Sequence, residues 1–206
     1  MTDPKRPERA RLTRRSLMKG AGAAAAAGAL LRPFEAAAED ADGAVRRTGP
    51  GRSTFSLTLN GKKRDLTAEP RQTLLEVLRD GSVGLSGTKP ACDRAQCGAC
   101  TVWLDGEPVP ACSVLAVEAE GREVTTVEGL GSPDAMHPVQ AAFVAEDAAQ
   151  CGFCTSGMVM SVAWAVKTHG KDLGADQVRE ACAGNLCRCG TYPHVIQAAL
   201  RAAKEA

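Results

Sequence analysis

Residues 87–102 read GTKPACDRAQCGACTV and contain Cys92, Cys97 and Cys100 in the pattern Cys-x4-Cys-x2-Cys. A fourth cysteine, Cys112, lies beyond the turn pair Asp105-Gly106. A loop of this kind presents three thiolates from one side and can direct its backbone N–H groups at the sulfurs. The distant thiolate then closes the site from the other side. The segment therefore predicts a metal centre held by four thiolates.

The spacing of these four cysteines is that of plant-type [2Fe–2S] sites. Four thiolates also bind zinc, but structural zinc sites usually pair two Cys-x2-Cys knuckles, and the four-residue gap between Cys92 and Cys97 differs from that pattern. Disulfides fit poorly because three of the cysteines crowd into one loop. The chain also has nine cysteines, so pairing alone would leave one over.

Residues 53–130 carry the pattern of a small α+β domain around this loop. Phe55, Leu57 and Leu59 alternate with polar residues, which predicts a half-buried strand. Asn60-Gly61 predicts a hairpin turn, because this turn requires positive φ at both positions. Further predicted elements are a returning strand at 64–67, a helix after the capping-box pair Thr73 and Glu76, a strand at 101–104 and a last strand at 123–127.

Four more cysteines lie in the strings QCGFCTSG and GNLCRCG, namely Cys151, Cys154, Cys187 and Cys189. The two strings join segments of helical periodicity at 138–148, 157–167, 176–183 and 193–204, which predict a four-helix bundle over residues 133–206. Four thiolates from two loops are enough for a second cluster, although on spacing alone zinc stays an alternative. Gly152, Gly184 and Gly190 suit a backbone that wraps tightly around a bulky ligand.

Cys182 belongs to neither set of four. We expect it in the middle of a helix, where it would act as a small buried hydrophobic residue. Trp103 and Trp164 are likewise predicted to be core residues. The three histidines have no partner at metal-ligand spacing, and they are assigned no chemistry.

Residues 1–38 predict an export signal that is not part of the fold. The string LTRRSLMKG contains the pair Arg14-Arg15 and resembles the twin-arginine signal. An apolar run too short to span a bilayer follows it, and Ala36 and Ala38 then form the small-x-small pattern of a cleavage site. We expect cleavage after Ala38, a linker over residues 39–52, and a folded periplasmic protein without a membrane span.

The charge balance divides at the predicted cleavage site. The full chain has 25 basic and 24 acidic side chains, a formal net charge of +1. Residues 1–38 contribute a net charge of +5, which leaves −4 on the rest of the chain. An acidic mature protein does not fit a nucleic-acid binder.

Taken together, the strings GTKPACDRAQCGACTV, QCGFCTSGMVMS and GNLCRCGTYPHVIQAAL resemble the iron–sulfur subunit of xanthine-oxidase-type molybdenum hydroxylases. The resemblance covers the chain from about Phe55 to its C-terminus. It implies a β-grasp, plant-ferredoxin-like domain followed by a four-helix bundle. Together with the signal, the string GLGSPDAMHPVQAAF is most similar to the periplasmic aldehyde oxidoreductases of this family.

The resemblance implies two [2Fe–2S] clusters. The peripheral one would be held by Cys92, Cys97, Cys100 and Cys112, and the one nearer the molybdenum by Cys151, Cys154, Cys187 and Cys189. Gln150 and Cys189 would lie beside the pterin of the molybdenum cofactor. In this family the molybdenum cofactor belongs to a large molybdopterin-binding partner, and FAD belongs to a medium FAD-binding partner.

The function implied is electron transfer, from a molybdenum site to FAD or an external acceptor, during oxidation of aldehydes or N-heterocycles. The chain itself would bind no substrate. A free ferredoxin-type carrier and a zinc-stapled binding module are the alternatives. Four positions depart from the family pattern: Ala91 and Ala95 replace common glycines, Pro90 is unusual beside them, and Ser156 replaces a common proline. A positive φ at Ala95 would cost about 1 kcal/mol.

Overall fold

The computed structural model describes residues 49–205 of the chain. The predicted signal peptide at 1–38 and most of the predicted linker at 39–52 lie outside these residues. Within residues 49–205, no helix is long and apolar enough to cross a membrane. The described residues belong to one compact unit, which extends over residues 47–206.

The elements divide into a sheet-forming part and a helical part. The strands are β1 (Ser53–Leu59), β2 (Lys62–Ala68), β3 (Thr101–Leu104), β4 (Glu107–Pro110) and β5 (Glu123–Thr125). The helices are α1 (Leu74–Arg79), α2 (Val127–Leu130), α3 (Pro138–Ala145), α4 (Thr155–His169), α5 (Ala175–Ala181) and α6 (Tyr192–Glu205). Short 3-10 turns lie at Ala111–Ser113, Ala116–Ala119 and Gly170–Asp172.

The strands form one mixed sheet in the order β2-β1-β5-β3-β4. β1 and β5 run parallel, and the other neighbouring strands are antiparallel. The predicted hairpin between β1 and β2 is confirmed: its turn residues Asn60 and Gly61 have φ of 50° and 74°. A mixed sheet followed by helices agrees with the predicted α+β class and with a ferredoxin-like domain that precedes a helical part.

The sheet buries its first core against α1. Phe55, Leu57 and Leu59 of β1 are at most 4% exposed, as their alternation predicts. The predicted capping box begins α1, because the N–H of Glu76 donates to Thr73 Oγ1 at 3.2 Å and the N–H of Thr73 donates to Glu76 Oε2 at 2.7 Å. A helix of six residues is marginal alone, so this cap and its buried leucines stabilise it.

A second core lies among α3, α4, α5 and α6, the helices at the four predicted helical segments. Each contributes fully buried side chains, among them Val139, Met158, Val178 and Val195. The inner face of α6 is made mostly of alanines, which let this helix pack closely despite the few aromatic residues in the chain. The predicted helical half is therefore built on small aliphatic side chains.

Several predicted boundaries are wrong, and the helix predicted at 138–148 ends at Ala145. The last strand ends at Thr125 instead of residue 127, because the N–H of Thr126 donates to Asn60 Oδ1 at 2.8 Å and Val127 begins α2. The predicted helix at 176–183 ends at Ala181, so Cys182 lies at its C-terminal end and not in its middle. The thiol of Cys182 is nevertheless buried, and burial raises its pKa to about 11.

Trp103 joins the two cores. It lies on β3 but packs into the helical core, where it is 9% exposed. Its indole Nε1–H donates to the carbonyl oxygen of Met160, in α4, at 3.0 Å. Lys167 Nζ lies 5.3 Å from the centre of the same ring. The prediction that Trp103 is a core residue is confirmed, and the indole fixes β3 against α4.

His137 caps the N-terminus of α3 and makes this helix sensitive to pH. Its Nδ1 accepts from the N–H of Val139 at 3.2 Å, and burial lowers its pKa below the usual 6.5. A proton on Nδ1 would remove this acceptor and place a positive charge at a helix N-terminus. Since the folded state binds the proton less readily, its stability is full above pH 6.5 and falls as the pH drops through the folded pKa.

We expect the free energy of unfolding to decrease by about 1 kcal/mol as His137 is protonated, because a helix cap is lost. The measurement is the urea midpoint of the holoprotein at a series of pH values between about pH 7 and about pH 5. His137→Asn keeps a capping side chain that does not titrate, so this variant should lose that part of the pH dependence. An unchanged pH profile in His137→Asn would contradict the assignment.

Candidate metal centres

The first cysteine set lies where the loop after α1 meets the end of the β3–β4 hairpin. Cys92 and Cys97 are partly exposed on the loop, whereas Cys100 and Cys112 are 3% and 7% exposed. β3 begins directly after Cys100, and the predicted turn at Asp105-Gly106 returns the chain along β4 to Cys112. The structure thus brings all four predicted residues to one place.

Backbone N–H groups of this loop point at the sulfurs, as expected from the sequence. The N–H of Ala95 donates to Cys112 Sγ at 3.2 Å, and the N–H of Gln96 donates to Cys92 Sγ at 3.3 Å. Ala95 has a φ of 57°, in the left-handed region, at a cost of about 1 kcal/mol for alanine. This strained conformation directs the N–H of Ala95 at the sulfur of Cys112.

The side chains of the first set form two thiol pairs. Cys97 lies close enough to Cys92 to contribute to the lowered pKa of the Cys92 thiol, and Cys112 lies close enough to Cys100 to contribute to the raised pKa of the Cys100 thiol. The backbone N–H of Arg94 is the main cause that lowers the pKa of Cys92 to about 7, whereas burial raises the pKa of Cys100 to about 12. Because metals bind the thiolate, a cation at this site would replace the proton of the buried thiol.

The second cysteine set lies on two loops of the helical part. Cys151 and Cys154 precede α4, with Cys154 at its N-cap, and Cys187 and Cys189 lie between α5 and α6. Gly152 and Gly190 both have a φ of 79°, which favours glycine at these turns. The third glycine predicted to suit this wrapping, Gly184, does not have a positive φ.

The second set also forms two pairs. Cys189 lies close enough to Cys151 to contribute to the lowered pKa of the Cys151 thiol, and Cys187 lies close enough to Cys154 to contribute to the raised pKa of the Cys154 thiol. Burial raises the pKa of Cys154 to about 12. Burial acts in the same direction on Cys187, but the hydroxyl and N–H of Thr191 outweigh it and lower the pKa to about 7. Cys154 and Cys187 are partly buried, whereas Cys151 and Cys189 are exposed.

The eight thiols therefore lie in four pairs. Within residues 49–205, no three Cys, His, Asp or Glu side chains converge on a point that could hold one metal ion. A structural zinc ion requires four donors that converge. A cluster with two irons instead takes two thiolates at each iron. Four neighbouring thiols at each site match the number of ligands that a binuclear iron–sulfur cluster requires.

The two cysteine-bearing loops touch at residues that were not predicted from the sequence. The N–H of Leu186 donates to the carbonyl oxygen of Cys97 at 2.9 Å, and Asn185 Nδ2 donates to the carbonyl oxygen of Gly98 at 3.0 Å. Gly157 of α4 also packs on Gly98, so closely that a Cβ there would lie 2.0 Å from the Gly98 oxygen. The predicted helical segment begins at Gly157, so no sequence signal marked this contact, whereas the observed helix begins at Thr155 and places Gly157 inside it.

The outer edge of the second set is a mixed surface. Gln150, Cys151 and Cys189 are exposed. Phe153 and Leu186, large apolar side chains beside them in the sequence, are 47% and 57% exposed. Exposed apolar residues around functional groups are typical of surfaces that a partner covers. The predicted pterin-contact residues thus lie at the surface of this chain.

Ser156 lies in the first turn of α4, where the family pattern commonly has proline. Its Oγ is buried and has no hydrogen-bond partner among residues 49–205. It lines a surface cavity of about 510 Å³ together with Phe143, Val144 and Val159. Nothing in the structure explains why serine replaces proline here.

Two family models match the chain, and together they span both cysteine sets. A "2Fe-2S iron-sulfur cluster binding domain" matches residues 57–128. A "[2Fe-2S] binding domain" matches residues 126–200. The chain therefore has two [2Fe–2S]-binding domains in succession.

Proteins of known function are similar in sequence to this chain over most of its length. The chain is 42% identical to the aldehyde oxidoreductase iron-sulfur-binding subunit PaoA of Escherichia coli (strain K12), over 94% of this chain and 89% of PaoA. It is 39% identical to the nicotinate dehydrogenase small FeS subunit of Eubacterium barkeri, over 74% of this chain and 95% of that protein. Among solved structures, a chain of quinoline 2-oxidoreductase from Pseudomonas putida 86 matches with a TM-score of 0.67 and 40% identity, over 75% of this chain and 98% of that one.

Proposed function

This chain belongs to the family of iron–sulfur subunits of molybdenum hydroxylases, and from that membership we propose how its own residues serve electron transfer. Its role in an oxidoreductase complex is that of the electron-transfer subunit. One observation carries the proposal: eight free cysteines lie in two sets of four, on loops that a backbone hydrogen bond joins.

The ligand assignment follows the two sets of pairs. Cys92, Cys97, Cys100 and Cys112 hold one [2Fe–2S] cluster in the ferredoxin-like domain at 53–130. Cys151, Cys154, Cys187 and Cys189 hold the other in the helical domain at 133–206, for which we propose the four-helix bundle of the family. A bound cluster supplies reversible one-electron chemistry. The N–H groups of Ala95 and Gln96 supply hydrogen bonds to the sulfurs.

The exposed edge of the second set is the end that faces the molybdenum cofactor. Gln150 and Cys189 lie at this surface. The exposed side chains of Phe153 and Leu186 add apolar area, and its burial against a partner is favourable. We assign this surface to a large molybdopterin-binding subunit, with Gln150 and Cys189 beside the pterin. An FAD-binding subunit or an external acceptor would take electrons from the first set.

The substrate class proposed for the complex is aldehydes, which the partner subunit would oxidise with water as the oxygen source. The similarity to PaoA covers 94% of this chain, and the twin-arginine pattern together with the string GLGSPDAMHPVQAAF is most similar to the periplasmic aldehyde oxidoreductases, which favours aldehydes over N-heterocycles. The twin-arginine pattern around Arg14-Arg15 favours a periplasmic complex, formed from a chain that has lost residues 1–38.

Purification of the native complex from the periplasmic fraction tests this proposal. We expect about four iron and four sulfide per copy of this chain, as two [2Fe–2S] clusters require, with two distinct EPR signals after reduction. Molybdenum should copurify in a large partner chain, and mass spectrometry should find this chain without residues 1–38. The complex should oxidise an aromatic aldehyde faster than a pyridine carboxylate.

Three results would contradict separate parts of the proposal. Zinc in place of iron would overturn the cluster assignment. A chain with both clusters and no molybdenum partner would support the free ferredoxin-type carrier. A full-length chain in the cytoplasm would overturn the export assignment and leave the electron-transfer role intact.

A further inference from the structure

A backbone hydrogen bond connects the two cysteine sets. The N–H of Leu186 donates to the carbonyl oxygen of Cys97 at 2.9 Å. Cys97 belongs to the first set, and Leu186 is covalently next to Cys187 of the second set. The route from one thiol to the other therefore runs through covalent bonds except at this one hydrogen bond.

The side chain of Asn185 reinforces that bond from the adjacent position. It is 4% exposed, and its Nδ2 donates to the carbonyl oxygen of Gly98 at 3.0 Å, with Thr101 Oγ1 at 3.4 Å. Its Oδ1 accepts from Ser161 Oγ, on α4, at 2.8 Å. Neighbouring residues of one loop thus bind neighbouring residues of the other, Asn185 to Gly98 and Leu186 to Cys97.

This contact requires a glycine on the opposite loop. A Cβ at Gly98 would lie 2.5 Å from Asn185 Nδ2 and 2.5 Å from the carbonyl oxygen of Gly184. Gly98 also has a φ of 64°, which side chains with a Cβ adopt at a cost. Both the conformation and the lack of a side chain at Gly98 allow the loops to meet at hydrogen-bond distance.

We propose that Asn185 is a positioning residue for electron transfer between the two clusters. It holds the Leu186 N–H against the Cys97 carbonyl, and this hydrogen bond is the direct connection between the ligand sets. With both clusters bound, the cluster held by Cys187 would lose one electron and the cluster held by Cys97 would gain it. No other bond forms or breaks, and no proton transfer is needed. The inference rests on the proposed function.

The polarity of Asn185 supports a positioning role over simple space filling. A buried amide is costly unless its donors and acceptor are satisfied, and here the interior supplies partners to both ends of the side chain. A leucine has the same branched skeleton, with bulkier methyl groups in place of the amide oxygen and nitrogen, and would occupy the same position. It could not donate to the Gly98 carbonyl, so the bridging bond beside it would lose its support.

The test uses the intact complex with Asn185→Leu, and with Asn185→Ser as a smaller replacement should the leucine variant fold poorly. The first readout is hydrogen–deuterium exchange of the peptide that contains Leu186. We expect exchange at this amide to be about tenfold faster, because the loss of one buried hydrogen bond raises the equilibrium constant for local opening by roughly that factor. The second readout is the rate at which an electron supplied by substrate passes from the second cluster to the first, which should fall several-fold.

Two control variants separate positioning from stability. Ser161→Ala removes a partner of Asn185 Oδ1 but leaves the bond to Gly98, so its effects on exchange and rate should be smaller. Val139→Ala opens a cavity at a fully buried position of α3, a helix that holds no residue of this contact, and destabilises the chain. It should leave the transfer rate unchanged.

Iron content, both EPR signals and both reduction potentials should be unchanged in the Asn185 variants. A missing cluster in the unsubstituted complex would be a failure of the proposed function. Intact clusters with an unchanged transfer rate would overturn the positioning role alone. The positioning role would also be overturned if shifted reduction potentials fully explained a slower rate, or if Val139→Ala slowed the transfer to the same extent.

Discussion

Gly157→Ala is expected to destabilise the holoprotein by about 3 kcal/mol and to reduce its iron content. A Cβ at this position would lie 2.0 Å from the carbonyl oxygen of Gly98 and 3.0 Å from its carbonyl carbon. Both atoms are backbone, so no side-chain rotation can relieve the clash. The main chain must therefore move, either in α4 or in the loop that contains Cys97 and Cys100.

The expected loss of iron follows from what lies at this contact. The Gly98 carbonyl accepts from Asn185 Nδ2 and from the N–H and hydroxyl of Thr101. A shift of Gly98 therefore disturbs both cysteine-bearing loops at once. The measurements are the urea midpoint and the iron content of the purified chain.

Gly184→Ala is the matched control for this change. No atom lies within 4 Å of a Cβ built at Gly184, and its φ is not positive. The same addition of one methyl group should therefore alter stability by less than about 0.5 kcal/mol and leave the iron content unchanged. Equal effects of the two substitutions would contradict the close approach of α4 to the Gly98 loop.

Cys112→Ala is expected to remove one cluster, about two of four irons per chain, and to abolish electron transfer through the complex. Cys112 is the thiol that closes the first set, and the N–H of Ala95 donates to its sulfur. Three thiolates without the fourth would leave one iron short of a ligand. One of the two EPR signals should disappear, and the signal of the second cluster should remain.

Cys182→Ala is the control with the same burial, because Cys112 and Cys182 are both 7% exposed. Cys182 packs in the helical core, and burial raises its pKa to about 11. The variant should keep about four irons per chain and lose only about 1 kcal/mol of stability. Iron loss from Cys182→Ala, or four irons in Cys112→Ala, would overturn the ligand assignment.

Local signals account for the parts of the fold that were predictable. The turns at Asn60-Gly61 and Asp105-Gly106, and the capping box of Thr73 and Glu76, each depend on residues within four positions of one another. The structure has all three. Cysteine spacing likewise marked the eight thiols that the structure brings together, because the spacing reflects how a loop surrounds one ligand.

Long-range contacts account for what was missed. The bond between Asn185 and Gly98 joins residues 87 positions apart, and no local pattern specifies such a partner. The end of β5 was misplaced for a similar reason: Thr126 leaves the strand to bind Asn60, which is 66 positions away. Thiol pairing also depends on how the loops fold back, so spacing alone could not assign Cys151 to Cys189.

The contact between the two cysteine-bearing loops at Gly98 has a consequence for how the rate of electron transfer through this subunit can be controlled. The loops meet through main-chain atoms, Trp103 binds α4 from the sheet, and residues 47–206 form one compact unit. Such a closely packed interior keeps the distance between the two cysteine sets constant. The rate of electron transfer then depends on the difference in reduction potential between the donor and the acceptor. The redox state of the neighbouring subunits therefore controls it.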